Sequence, residues 1–235
     1  MFTSKLARVP SVLAALTLAA CGGDDGGTVT PIDARRIDAT GGDIDAPAAG
    51  CQISNPNFGN LTTTMATFRR RPQSQMNPNP NVYYVGWGAL LEMGTPSDAL
   101  IIELWPGFGG IPAGELAPGT YQLTGDNGSL ADCGACVYMM SNYDTGSGMG
   151  DQDYMPVAGT LTINTVNPTV PGTIDLTLTG VMMQHVDIAM DGTTTPAADA
   201  ATCTTQFSAA ISGTIQNPAK MAVETVKSPI AARHR

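Results

Sequence analysis

An all-β fold, an antiparallel β-sandwich or jelly roll, is what this sequence predicts, and three observations predict it. Charged residues make up only 13% of the 235, too few to coat the solvent faces of long helices. Gly (27) and Pro (17) are abundant and cut the chain into short apolar segments bounded by turns. Thr173 to Thr179 alternates strictly, with Ile174, Leu176 and Leu178 on one face and Thr173, Asp175, Thr177 and Thr179 on the other. That period of two marks a half-buried strand. Apolar residues reach 43%, enough to build a core.

The elements follow in order from Cys51, where the folded body is expected to begin. Leu61 to Arg70 alternates loosely and reads as a strand. Asn77 to Asn81 is a loop, because Pro78 and Pro80 remove donors and bias their predecessors away from helix. Val82–Glu92 and Ala99–Trp105 flank a Gly-Thr-Pro-Ser-Asp turn and form the best hairpin of the first half. Thr120–Leu123, Val137–Ser141 and Gly159–Val166 are shorter strands. Thr173–Ile188 is a long strand in which Gly180 marks a bulge or bend. Asp191-Gly192 is a turn, Phe207–Ile215 closes the domain near Asn217, and 218–235 is a tail. No amphipathic helix interrupts this series, hence the sandwich.

Ahead of the body lies a different kind of sequence. Lys5 and Arg8 form a basic start, and Val12–Ala20 is an apolar run too short to span a bilayer as a permanent helix. Residues 22–50 are dominated by Gly, Asp and Ala and hold too little apolar surface to offset chain entropy. They read as a solvated spacer. Asp38, Asp43 and Asp45 lack the fixed spacing and terminal Glu of a calcium loop.

Leu18-Ala19-Ala20-Cys21 resembles the lipobox of bacterial lipoproteins. The resemblance implies cleavage before Cys21, so that 1–20 is a signal peptide. It implies diacylation of the Cys21 sulfur, usual acylation of the new amine, and attachment to the membrane by those chains. Gly22, where an Asp would signal retention, resembles the sorting context for the outer membrane. The body, through Gly119-Thr120-Tyr121, Cys133-Gly134-Ala135-Cys136-Val137, Gly172–Leu176 and Cys203, is similar to cysteine-containing lipoproteins of the myxobacterial type, a likeness that implies no activity.

Cys51, Cys133, Cys136 and Cys203 remain beyond Cys21. An even number in an exported chain reads as two disulfides. Spacing leaves three pairings open. A Cys133–Cys136 redox pair belongs at a helix N-terminus after a strand, whereas Val137–Met140 reads as a strand; zinc is the other reading set below structural bridging. The expectation is two long-range bridges joining Cys133 and Cys136 to Cys51 and Cys203, each contributing roughly 3–4 kcal/mol.

The formal charge of −9 becomes −11 once Lys5 and Arg8 leave with the signal. With a pI near 4.4 the chain would repel nucleic-acid phosphate, so no nucleic-acid partner is expected. His185 is the only histidine of the body, His234 lying in the tail. Met182-Met183-Gln184-His185, with Met139 and Met140, is a thin basis for a soft copper site. Ser147 lacks the glycine two positions earlier that a nucleophile elbow needs. Asp144, Asp151 and Asp153 are the calcium candidates, in a Gly-rich loop. Arg69-Arg70-Arg71 reads as a solvated strand end. Tyr83, Tyr84, Trp87 and Trp105 cluster about the first hairpin; they are expected mainly in the core, with Tyr84 and Trp105 the candidates for a sugar-stacking surface. Glu92, Asp98, Glu103 and Glu115 are the carboxylates from which a paired-acid glycosidase site would be drawn. The sequence therefore points to a lipid-anchored cell-envelope protein that is not an enzyme and needs no cofactor. A carbohydrate- or polymer-binding module is the first alternative, with a surface glycan or a protein as its partner. A cryptic glycosidase or metal handler is the second.

Overall fold

The computed structural model describes residues 50–73, 81–93 and 96–217, all within the compact unit Ile44–Arg235. The signal, Cys21, all of the spacer but Gly50, the Asn77–Asn81 loop up to Pro80, and the tail lie outside the described residues. Among the described residues the strands are β1 (Asn57–Pro72), β2 (Tyr83–Leu90), β3 (Ala99–Leu104), β4 (Gly119–Gln122), β5 (Ala135–Ser141), β6 (Gln152–Asn167), β7 (Gly172–Ile188), β8 (Thr194–Pro196) and β9 (Thr204–Gln216). A short 3-10 turn covers Gly125–Gly128.

The all-β class holds, but the sheet closes into a barrel where a sandwich was expected. Seven strands form the ring β1-β2-β3-β5-β6-β7-β9, and β9 returns to β1. Six of its pairings are antiparallel, while β1 and β9 run parallel from Asn57↔Gln206 to Arg69↔Gln216. Strand β4 adds to the second half of β6, and β8 to the end of β7. Alternation and turns are the same in sandwiches and barrels; the pairing of the first strand with the last makes the difference.

The closed wall is filled by side chains. Phe68 is typical: it is fully buried with Val85, Ile102, Val137, Leu161 and Leu176 in one cluster. The alternation read in β7 is kept, Ile174, Leu176 and Leu178 turning inward. Strands β3 and β5 behave differently, being buried along their whole length. Their outward residues Ala99, Ile101, Tyr138 and Met140 belong to a second cluster with Tyr84, Trp105, Leu130 and Phe108. A strand buried on both faces reads as a continuous apolar run, which is how ALIIELW appears.

Hairpin β2–β3 forms in the expected place, with Leu90 opposite Ala99. The bend at Gly180 is present as a register shift between Leu178 and Val181 against β9. Opposite it, Pro156 sits where β6 itself bulges, one of the few places a strand interior accepts proline. The first half of β6 and all of β8 were not expected from sequence, because an acidic Gly-rich loop, a proline and short Thr runs obscure them. Gly159 is required at this double bulge. Its φ is +110°, and a Cβ there would lie 2.7 Å from Val181 Cα and 2.9 Å from the Gly180 carbonyl oxygen. Gly159→Ala should cost about 1–3 kcal/mol through strain and forced separation of β6 from β7. Chemical denaturation will read it, and an unchanged midpoint would show that the bulge adapts freely.

Candidate functional site

Both β1 and β9 begin at the same end of the barrel, where β3 and β6 also begin and β2, β5 and β7 finish. Residues 50–56 cross this end before entering β1. The crossing strap is tied at every step. Gln52 N donates to Gln152 Oε1 (2.8 Å), Ser54 N to Asp98 Oδ2 (2.8 Å), Thr205 Oγ1 to the Asn55 carbonyl (2.8 Å) and Gln206 N to the Pro56 carbonyl (3.0 Å). Between them Ile53, 2% exposed, joins the interior cluster. Its burial is the apolar stopper of the barrel mouth.

Cys51 is bonded to Cys203, with Cα atoms 5.2 Å apart, and Cys133 to Cys136, also at 5.2 Å. The expected long-range pairing of Cys133 and Cys136 with Cys51 and Cys203 is therefore corrected. Cys136 stands near the start of β5, at the far end of the barrel from Cys203. The five residues from Cys136 to the Ser141 rim span roughly 16 Å at about 3.3 Å each, whereas a disulfide tolerates less than about 7 Å between Cα atoms. Locally, Asn127 Oδ1 accepts from both Gly134 N (2.9 Å) and Ala135 N (3.0 Å), turning the chain so that Cys133 meets Cys136. Gly134 is needed because a Cβ there would collide with the Phe108 carbonyl at 1.9 Å. The two bonds differ in weight. With a sequence separation of 152, Cys51–Cys203 is worth about 5 kcal/mol in the chain-entropy model, against about 2 for Cys133–Cys136 at a separation of 3.

Beneath the strap, one cross-strand row runs Leu100, Met139, Tyr154, His185. The rings of Tyr154 and His185 are tilted with centroids 5.5 Å apart. Tyr154 Oη donates to Gln152 Oε1 at 2.7 Å. Burial pushes the Tyr154 hydroxyl up to about 12; the backbone of Ile53 opposes this and the charges of Asp199 and Asp98 add to it. His185 Nδ1 lies 2.5 Å from Asp199 Oδ1, and Asp199 Oδ2 lies 3.2 Å from Cys203 Sγ. An ionised carboxylate only accepts, so a hydrogen bond between the two groups runs from Nδ1–H to Asp199 Oδ1. Among the described residues, His185, Asp199 and Cys203 are the one group of three metal-ligating side chains whose atoms converge within 4.8 Å. With Cys203 in a disulfide, its sulfur is not a thiolate.

A second polar knot lies beside it. Asp98, 1% exposed, accepts from Ser54 N, from Ser54 Oγ (2.7 Å) and from Asn142 N (3.1 Å). Ser54 Oγ also contacts Glu92, which in turn accepts from Ser97 Oγ (3.0 Å) and Asp98 N (2.7 Å). Glu92 and Asp98 thus do converge, yet with the strap serine between them. Glu103 is buried elsewhere and accepts from Trp105 Nε1 at 2.9 Å, while Glu115 is exposed in the 105–118 segment.

The calcium candidates do not converge. Asp144 accepts from Gly146 N (2.8 Å) and Ser147 N (3.1 Å) in its own loop, Asp151 from Asn142 Nδ2 (3.0 Å), and Asp153 from Tyr138 Oη. Of the methionines near His185, Met183 and Met139 turn into the core, Met140 joins the outer cluster and Met182 is exposed. Arg70 lies over the Tyr83 ring at 3.8 Å and donates to the Pro168 carbonyl (2.7 Å), and Arg69 reaches Gln216. Tyr84 and Trp105 meet, but as a buried stack with centroids 4.1 Å apart and planes 8° from parallel. Trp87 is half-buried against Phe68.

Sequence reasoning singled out His185, Asp98 and Glu92 and missed Asp199, Tyr154, Ser54 and Asn142. One signal was available: Asp199 precedes Cys203 by four residues, just before the last strand. Comparison with known proteins finds no matching family model, no matching curated protein and no matching solved structure.

Burial raises the Asp98 carboxyl above the ordinary carboxylate range, opposed by the Ser54 bonds and reinforced by Glu92. The neutral acid is then favoured by folding. Its stabilising contribution is full below the ordinary pKa and lost as pH rises through the raised one. The melting-point difference between the wild type and Asp98→Asn should accordingly shrink over the range from about pH 4, the ordinary carboxylate value, upward. A difference that stays level or widens across that range would overturn this assignment.

Proposed function

We propose that this chain is a lipid-anchored protein of the cell envelope, held at the outer membrane by acyl chains on Cys21, whose barrel serves non-catalytically as surface structure or as a binding module. The observation that carries the reading is Leu18-Ala19-Ala20-Cys21 behind a basic, apolar leader and ahead of a Gly/Asp/Ala spacer. The body supports it in two ways. All four of its cysteines are in disulfides, the chemistry of an oxidising compartment. The spacer also leads into the fold through the strap, so that a pull from the membrane meets the Cys51 crosslink before it meets β1. The convergent Glu92 and Asp98 anchor the strap, which favours a non-catalytic role for that pair.

Two or three acyl chains give stable anchoring where one gives marginal binding. Cys21→Ala should therefore move the protein from the carbonate-washed membrane pellet to the soluble fraction. A mutant that pellets as the wild type does would end the lipid-anchor reading.

A second reading, binding of a carbohydrate or related polymer, is favoured by a different surface from the one first considered. Tyr84 and Trp105 are consumed in packing. A shallow cleft of about 360 Å³ instead opens beside β4, lined by Gly109, Thr120, Tyr121, Gln122, Thr124 and Asp126. A partly exposed ring flanked by amide, hydroxyl and carboxylate groups suits a sugar's faces and hydroxyls. On a glycan array, the full chain should retain a defined set of polysaccharides and Tyr121→Ala should lose them. No retention by the wild type would discard this reading and leave the scaffold role.

A further inference from the structure

The donors beneath the strap are arranged for a second crosslinking chemistry. Three of them sit on segments tied together by main-chain hydrogen bonds. The Asp199 carbonyl accepts from Thr202 N and Cys203 N, both at 2.9 Å, so Asp199 and Cys203 sit on one tight turn. His185 is gripped by the same segment on both sides, its N–H bonding the Cys203 carbonyl (3.0 Å) and its carbonyl accepting from Ala197 N (3.2 Å). The fourth donor, Cys51, rides on the strap. Breaking its bond to Cys203 leaves the Ile53 stopper and the Gln52 and Ser54 hydrogen bonds holding that strap.

We propose that reduction of Cys51–Cys203 turns this end of the barrel into a site for a thiophilic divalent cation of the zinc type, ligated by Cys51, Cys203, His185 and Asp199. Two thiolates, an imidazole and a carboxylate are a donor set zinc accepts in four-coordinate geometry. Metal–ligand bonds of roughly 2.0–2.3 Å place neighbouring donors about 3.3–3.8 Å apart in a tetrahedron. Here the His185, Asp199 and Cys203 donors already lie within 4.8 Å of one another, and Cys51, which is outside that group but bonded to Cys203 Sγ, has to turn inward on the strap once the bond opens. The steps balance: a dithiol reductant gives two electrons and two protons to the Cys51–Cys203 bond and becomes a disulfide itself. The cation then displaces the protons of the two thiols as it binds. The metal takes over from the disulfide as the link between strap and β9. The barrel mouth is held covalently under oxidising conditions and by the cation under reducing ones. This inference is independent of the lipid anchor.

The test uses the full chain with Cys133→Ser and Cys136→Ser, so that a single thiol pair is in play. Bound zinc is measured after desalting, with and without a phosphine reductant. Cobalt(II) replaces zinc for spectroscopy. The oxidised protein should take up no zinc above background, and the reduced protein one equivalent. Cobalt should give thiolate charge-transfer and tetrahedral d–d bands. His185→Ala should weaken zinc binding by about ten-fold or more, and Cys51→Ser should abolish the two-thiolate cobalt spectrum. If the double serine background fails to fold, the same titration in the wild-type chain serves, read as the difference that His185→Ala makes. Equal uptake by oxidised and reduced protein, no uptake on reduction, or indifference to His185→Ala would each overturn the proposal. So would loss of the native near-ultraviolet circular dichroism on reduction that zinc does not restore.

Discussion

The parallel pairing of β1 with β9 is the constraint on which the rest of the structure depends. It joins the first strand to the last and so removes both edges of what would otherwise be an open sheet. It also fixes where the chain must enter. Parallel strands start at the same end, so the residues before β1 and those before β9 are brought together whatever their side chains. Cys51 and Cys203 occupy those two positions. The disulfide is thus a consequence of strand direction as much as of cysteine placement. It closes a loop that contains nearly every described residue.

A closed barrel has two mouths, and the one through which the chain enters is crowded with polar groups. Ile53 fills the centre apolarly while Ser54, Gln52 and Cys51 tie the strap to Asp98, Gln152 and Cys203 around the rim. Burying a carboxylate such as Asp98 is costly unless donors meet it. Ser54 and Asn142 supply three, two of them backbone N–H groups that only a proline substitution would remove. His185, on the barrel's inward face, meets Asp199. The polar cluster is therefore organised by closure of the mouth, and any chemistry it carries is coupled to the strap.

Much of the fold was legible in the sequence because most strands are half-buried. Thr173–Thr179 alternates in sequence as it does in space, and Gly180 and the 91–98 turn sit where a bend and a hairpin were needed. What was not legible is non-local. Nothing within LTTTMATFRR or FSAAISGTI says that these segments lie side by side and parallel, and that pairing alone separates barrel from sandwich. The cysteine pairing failed for the same reason. Its decisive fact is that Cys136 and Cys203 stand at opposite ends of the barrel. The site was half legible: His185 stands out by rarity. Asp199 and Tyr154 do not, since an acidic residue in a Thr/Ala-rich loop and an aromatic in a strand are ordinary until the fold brings them to one histidine.

The position of the entry point gives the architecture a mechanical reading. Force applied along the segment before residue 50 acts on Cys51 first. From there the disulfide hands it to Cys203 and the start of β9, which is hydrogen-bonded on both sides, to β1 and to β7. Load entering β9 along the strand is shared by many ladder bonds in shear, whereas load entering β1 alone would peel the strap one contact at a time. Ile53 and Ser54, the next residues inward, then carry little. A crosslink placed ahead of β1 therefore spares the strap such a load.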